Sequence, residues 1–119
     1  LRFESPVQLG NRMTTTDVEI AGVEIPANTN LNLGIGAANR DPDIYSDPET
    51  LDITRNPRDH HAFAGGIHLC AGLNVARLEA QIAIPAILKR FPDLRSLETP
   101  VYDRRARFRA ILTMPVSVN

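Results

Sequence analysis

Long apolar runs are missing from this sequence: none approaches the roughly 20 residues needed to cross a bilayer. The opening Leu1-Arg-Phe-Glu-Ser-Pro6 also lacks the basic and apolar regions of a secretory leader. A cytoplasmic protein without a membrane partner is therefore expected. Neither sign of charge is in excess, with 13 Lys and Arg against 14 Asp and Glu for a net charge of -1. Nothing in that balance draws the chain to nucleic acid or an anionic surface. Cysteine is reduced to a single residue, Cys70, which excludes an internal disulfide. Two readings of the thiol stay open on composition alone, a buried inert side chain and a reactive or metal-ligating one.

What is present suits one ordinary domain: 119 residues, 43% of them hydrophobic, allow a core of modest size. Leu1 to Phe3 reads as the end of a helix that Pro6 would stop, so a fragment of a longer chain is expected. Val18-Glu-Ile20 and Val23-Glu-Ile25 alternate apolar and polar residues around Ala21-Gly22, which predicts a tight hairpin. Pro26-Ala-Asn-Thr then turns into Leu31-Asn-Leu33. The first third is predicted as a small antiparallel sheet.

Residues 39–59 are rich in Asp, Asn and Pro with no sustained period, predicting a long ordered loop after one short helical turn at Gly36 to Asn39. Loops of such length in compact domains tend to be functional. Residues 71–91 give the best helix, with Leu73, Ala76, Ala80, Ile84, Leu88 and Phe91 spaced as one buried face. Lys89 and Arg90 suit its carboxy-terminal dipole. Pro85 removes a donor inside it, predicting a kink or an interruption. The tail, with Ile111-Leu-Thr-Met-Pro115, returns to short strands. Arg105, Arg107 and Arg109 would share one strand face as solvated edge charges.

Chemistry concentrates in Phe63-Ala-Gly-Gly66-Ile-His68-Leu-Cys70-Ala-Gly72, where the only Cys stands between glycines just before the main helix. The thiolate is the metal-binding form of cysteine, and the free N–H groups at a helix start favour an anionic sulfur. Gly66 and Gly72 remove side chains where a large flat ligand would approach the backbone, and glycine also accepts positive φ. A zinc site using Cys70 with His60, His61 or His68 competes. It lacks the paired ligand spacing of structural zinc.

The spacing Phe63, Gly66, Cys70, Gly72 resembles the cysteine-ligand signature of the cytochrome P-450 family, the haem-thiolate monooxygenases. The similarity continues through Asn39-Arg-Asp-Pro-Asp43, Asp47-Pro-Glu49 and Ala76-Arg-Leu-Glu79, and is nearest to the soluble bacterial form. The resemblance implies that residues 1–119 are a single truncated domain, the carboxy-terminal portion of the P-450 fold. The expected class is α+β: a small antiparallel sheet, a long loop carrying the cysteine, one main helix after it, and short terminal strands. It also implies haem b, iron protoporphyrin IX, as cofactor with Cys70 as the iron ligand. Arg12 and His68 match propionate-binding positions, and Phe63, Gly66 and Gly72 shape the loop.

By the same resemblance, Arg2 matches the Arg of a Glu-x-x-Arg motif that fixes the loop before the cysteine. Three positions depart from the family pattern: Ala64 replaces a common Gly, Thr50 stands where many members have Arg, and Pro85 falls in the helix behind the haem. The implied parent activity is insertion of one oxygen atom from O2 into an organic substrate, with electrons from a ferredoxin-type partner. No catalytic residue is assigned within this chain. The competing function is a non-catalytic remnant or weak haem-binding module, forming a homodimer through surfaces left uncovered.

Overall fold

The computed structural model describes residues 1–55 and 59–119. Asn56, Pro57 and Arg58, which belong to the long loop read from the sequence, lie outside the described residues. The chain forms two compact units: residues 1–62 with Arg105–Phe108, and residues 63–104 with Arg109–Asn119.

In the first unit, strand β1 (Leu9–Met13) pairs antiparallel with β4 (Asn30–Gly34), Arg12 facing Leu31 in the register. Between them, β2 (Val18–Ile20) and β3 (Val23–Ile25) form the expected hairpin. Its two-residue turn has φ of 51° at Ala21 and 79° at Gly22, the doubly positive backbone whose twist matches that of the flanking strands. The first third thus contains two small antiparallel sheets where one was expected. Strand β1 is absent from the sequence reading, because Gly10 and Asn11 break the apolar alternation of Leu9–Met13.

Leu1 to Phe3 is not helical. So short a stretch cannot supply its own helical hydrogen bonds, and Arg2 is instead buried, at 5% exposure. Helix α1 (Ile35–Ala38) supplies the short turn expected near Gly36, and the irregular loop follows. The centre of this unit is polar. Arg2, Ser5, Thr14 and Asn39 are buried, and Tyr45 is the buried apolar residue among those described. The modest hydrophobic core expected from composition does not form, since most large apolar side chains remain exposed.

In the second unit, α2 (Leu73–Arg90) follows the cysteine segment. It runs through Pro85 without interruption, although the ring leaves the Gln81 carbonyl without its usual donor. Of the face anticipated as buried, Ala76, Ala80, Ile84 and Leu88 are exposed, while Leu73 and Phe91 at its ends are half-buried. At 3.6 residues per turn, Val75, Leu78 and Ile82 fall on the side opposite Ile84 and Leu88. The helix is therefore apolar on two sides, a pattern of helices enclosed by other structure.

Short strands complete the chain as expected: β5 (Arg95–Ser96) pairs with β8 (Val116–Ser117), and β6 (Val101–Tyr102) with β7 (Ile111–Thr113), all antiparallel. Arg105, Arg107 and Arg109 do not share a strand face. Their segment is irregular, with a single bridge between Phe108 and Val7, and the Arg109 guanidinium lies 4.4 Å over the Tyr102 ring. Isolated charges at alternate positions cannot build a ladder without a neighbouring strand to pair with.

Candidate functional site: the cysteine loop

The loop around Cys70 is closed by its own backbone. The Cys70 N–H donates to the Phe63 carbonyl at 2.9 Å, and the Cys70 carbonyl accepts from Leu73 N–H at 3.2 Å, tying the cysteine to the start of α2. Two short 3-10 turns precede the cysteine: His61–Phe63, which ends at the accepting residue, and Gly66–His68, which lies between Phe63 and Cys70. The second is fixed by His68 N–H on the Gly65 carbonyl at 3.2 Å and Leu69 N–H on the Gly66 carbonyl at 3.1 Å.

Gly66 has φ of 59° and open space where a Cβ would stand, so its side is bare as well as conformationally demanding. Gly72 caps α2 with an ordinary φ of -87°. Its contribution is proximity: a Cβ there would sit 3.9 Å from Cys70 Sγ, so its absence leaves that flank of the sulfur uncovered. Cys70 is exposed and unpaired. Ile67, at 97% exposure, and Leu69 add apolar surface beside it. Phe63 is half-buried and His68 exposed.

Phe63, Gly66, His68, Cys70 and Gly72 are thus carried by one loop of the second unit. Arg12 belongs to the first unit, where it is half-buried on β1 and its Nη1 donates to the Asn11 carbonyl at 2.7 Å. Among the described residues no three His, Cys, Asp or Glu side chains assemble to hold a metal. Cys70 would serve a metal as a single protein ligand.

The segment leading to this loop is pinned by Arg2, which the resemblance had placed in that task, and by Asn39 and Arg40, which the sequence reading left without a role. Asn39 accepts Arg2 Nη1 on its carbonyl at 2.8 Å, donates from Nδ2 to Ser5 Oγ at 2.6 Å, and accepts the His61 N–H on Oδ1 at 2.7 Å. Arg2 also donates to the Pro48 carbonyl at 3.2 Å and lies 4.9 Å over the Tyr45 ring. Arg40 reaches the Phe3 carbonyl at 2.7 Å and pairs with Glu4 and Glu49. Thr50, at the departure from the family pattern, is exposed and donates its N–H to the Asp47 carbonyl at 3.0 Å. Arg2, Asn39 and Arg40 hold this loop without an arginine at position 50. The signal for Asn39 was available in principle: a lone carboxamide directly after an apolar helical turn, where side-chain capping of backbone groups is common.

Burial is the main reason Tyr45 keeps its proton above the ordinary value of 10.0, with the Asp59 carboxylate adding to the effect and Arg2 opposing it. At the loop's far end, the Thr54 hydroxyl and N–H both donate to Asp52 Oδ1 and hold its carboxyl below the usual range.

A family model for cytochrome P-450 matches residues 1–114. The biotin biosynthesis cytochrome P-450 of Bacillus subtilis is 44% identical over 98% of this chain and 30% of its own length. The 6-deoxyerythronolide B hydroxylase of Saccharopolyspora erythraea is 38% identical over the whole chain and 30% of its own length. In three dimensions, the crystal structure of P-450BioI in complex with acyl carrier protein ligated to hexadec-9Z-enoic acid superposes with a TM-score of 0.92. It shares 44% identity and is covered over 30% of its chain, against 98% of this one. The chain therefore spans about 30% of the length of these relatives, has a partial version of their fold, and belongs to the cytochrome P-450 family.

Proposed function

We propose that this chain is the haem-binding, carboxy-terminal portion of a monooxygenase that inserts one oxygen atom from O2 into an organic substrate, the other leaving as water. The observation that carries the reading is Cys70: an exposed sulfur on a loop closed by the Phe63 carbonyl, with bare glycine on its flank. The donor set suits haem, whose iron a single protein thiolate would be enough to hold. Gly66 and Gly72 leave room for a flat ring, and Ile67 and Leu69 offer it apolar contact.

In this reading Cys70 would hold the iron through its thiolate. When bound, thiolate-ligated haem activates dioxygen, the sulfur favouring O–O cleavage. Phe63 holds the loop through its carbonyl and limits water near the sulfur. By the family resemblance, His68 and Arg12 would donate to the propionates, for which imidazole N–H and guanidinium groups are suited. The exposed apolar sides of α2 are then covered by the rest of a longer protein. Electrons come from a ferredoxin-type donor, and the substrate is a small organic molecule. The carrier-bound acyl chain of one relative's structure makes such conjugates a class to test first.

Reconstitution of the chain with haemin, followed by reduction and carbon monoxide, tests the ligand. A thiolate-type ferrous carbonyl spectrum is expected, and Cys70→Ala should abolish it. The same spectrum in that variant would refute the assignment.

A further inference from the structure

Asn39 stands at 0% exposure with each polar end of its amide and its own carbonyl engaged, to Ser5, His61 and Arg2 respectively. These partners lie 34, 22 and 37 residues away in sequence. One carboxamide therefore registers the start of the chain against the stretch that leads to the cysteine. Its Oδ1 holds the N–H of His61, the first residue of the His61–Phe63 turn. The last residue of that turn, Phe63, carries the carbonyl that accepts the Cys70 N–H. A three-residue turn has too few internal hydrogen bonds to set its own position, so the groups that grip its two ends must do so.

We propose that Asn39 is a positioning residue for the cysteine loop, fixing the His61 end of the turn whose Phe63 end fixes Cys70. A buried amide suits this task. It offers a donor and an acceptor in one plane. The functional meaning rests on the haem-thiolate reading above. The hydrogen-bond relay does not, and can be measured without haem.

Amide hydrogen exchange on the chain in reducing buffer is the test. In Asn39→Ala, the His61 and Cys70 amides are expected to exchange faster together, by about tenfold or more. The hairpin amides of Val18–Ile25 and the Ala76 amide inside α2 should keep their wild-type rates. Asn39→Asp retains an oxygen acceptor for His61 and is expected to keep both amides protected. In the haemin-loaded chain, the thiolate-type fraction of the carbonyl spectrum should fall in Asn39→Ala and recover in Asn39→Asp. A Cys70 amide at its wild-type rate in Asn39→Ala overturns the proposal, as does an unchanged His61 amide. If Asn39→Ala fails to fold, Asn39→Asp decides: loss of Cys70 protection there is equally fatal. Failure of wild type to give a thiolate spectrum would count against the haem reading alone, since the exchange rates still settle the role of Asn39.

Discussion

Ala64 adopts φ of 59° and Ala21 φ of 51°, a region that costs an ordinary L-residue roughly 1–2 kcal/mol. Asn28 and Asp47, at 63° and 45°, are residue types that tolerate it. Ala64 follows Phe63, whose carbonyl closes the cysteine loop, so the exchange of a common Gly for Ala at this position puts strain beside the site. Ala64→Gly should relieve it, offset in part by the freedom glycine gains in the unfolded chain, for a net stabilisation of about 0.5–1 kcal/mol. The urea midpoint should rise; an unchanged or lower midpoint would show that the loop absorbs the strain. Tyr45 gives a pH dependence. Because its folded-state proton is held above the ordinary 10.0, the stabilisation is complete below about pH 10 and is lost as pH rises through the raised value. Tyr45→Phe keeps a ring beneath Arg2 and should remove that alkaline loss in urea titrations across the range.

At the scale of elements, the segments legible in the sequence are those whose signal is local. Ala21-Gly22 states a turn, the apolar spacing after Gly72 states a helix, and both occur within a residue or two of where they were expected. Strand β1 and the Phe108–Val7 bridge were illegible, because a partner distant in sequence decides them. The face of α2 was read as one stripe, though Val75, Leu78 and Ile82 make a second. For the candidate site, the placement of Phe63, Gly66, His68 and Cys70 on one loop ahead of the main helix was legible, because that signal is local. The grip of Asn39 on His61 was not, since a hydrogen bond across 22 residues leaves no periodic trace. Pro85 gives a prediction for α2. It is exposed inside a continuous helix, so propensity outweighs packing there, and Pro85→Ala should restore a donor to the Gln81 carbonyl. A gain approaching about 3 kcal/mol of helix stability is expected, visible as a higher thermal midpoint by far-ultraviolet circular dichroism. No gain would mean that the helix bends at Pro85 to contacts the alanine cannot keep.

For the whole molecule, the balance between buried and exposed groups is unusual. The buried set around Asn39 is mostly polar, while Val75, Leu78 and Ile82 stand open along one side of α2. Contiguous exposed apolar surface drives association, so the chain is expected to gain mass with concentration in sedimentation experiments under reducing conditions. Replacing Val75, Leu78 and Ile82 together by Gln should weaken that association while leaving the His61 and Cys70 amides protected. A mass independent of concentration would exclude α2 as a self-association surface. No helix among the described residues is long and apolar enough to cross a membrane.

The single exposed thiol of Cys70 also sets the chemistry of handling the protein. Air oxidation can join two chains through a disulfide, and such linking stops at the pair, because each chain has one thiol to give. Such a covalent pair has both sulfurs consumed and none left to meet iron. A pool stored without reductant would therefore divide into a species whose thiol is free for the haemin test proposed above and a second of twice the mass with no free thiol, the second convertible to the first by dithiothreitol.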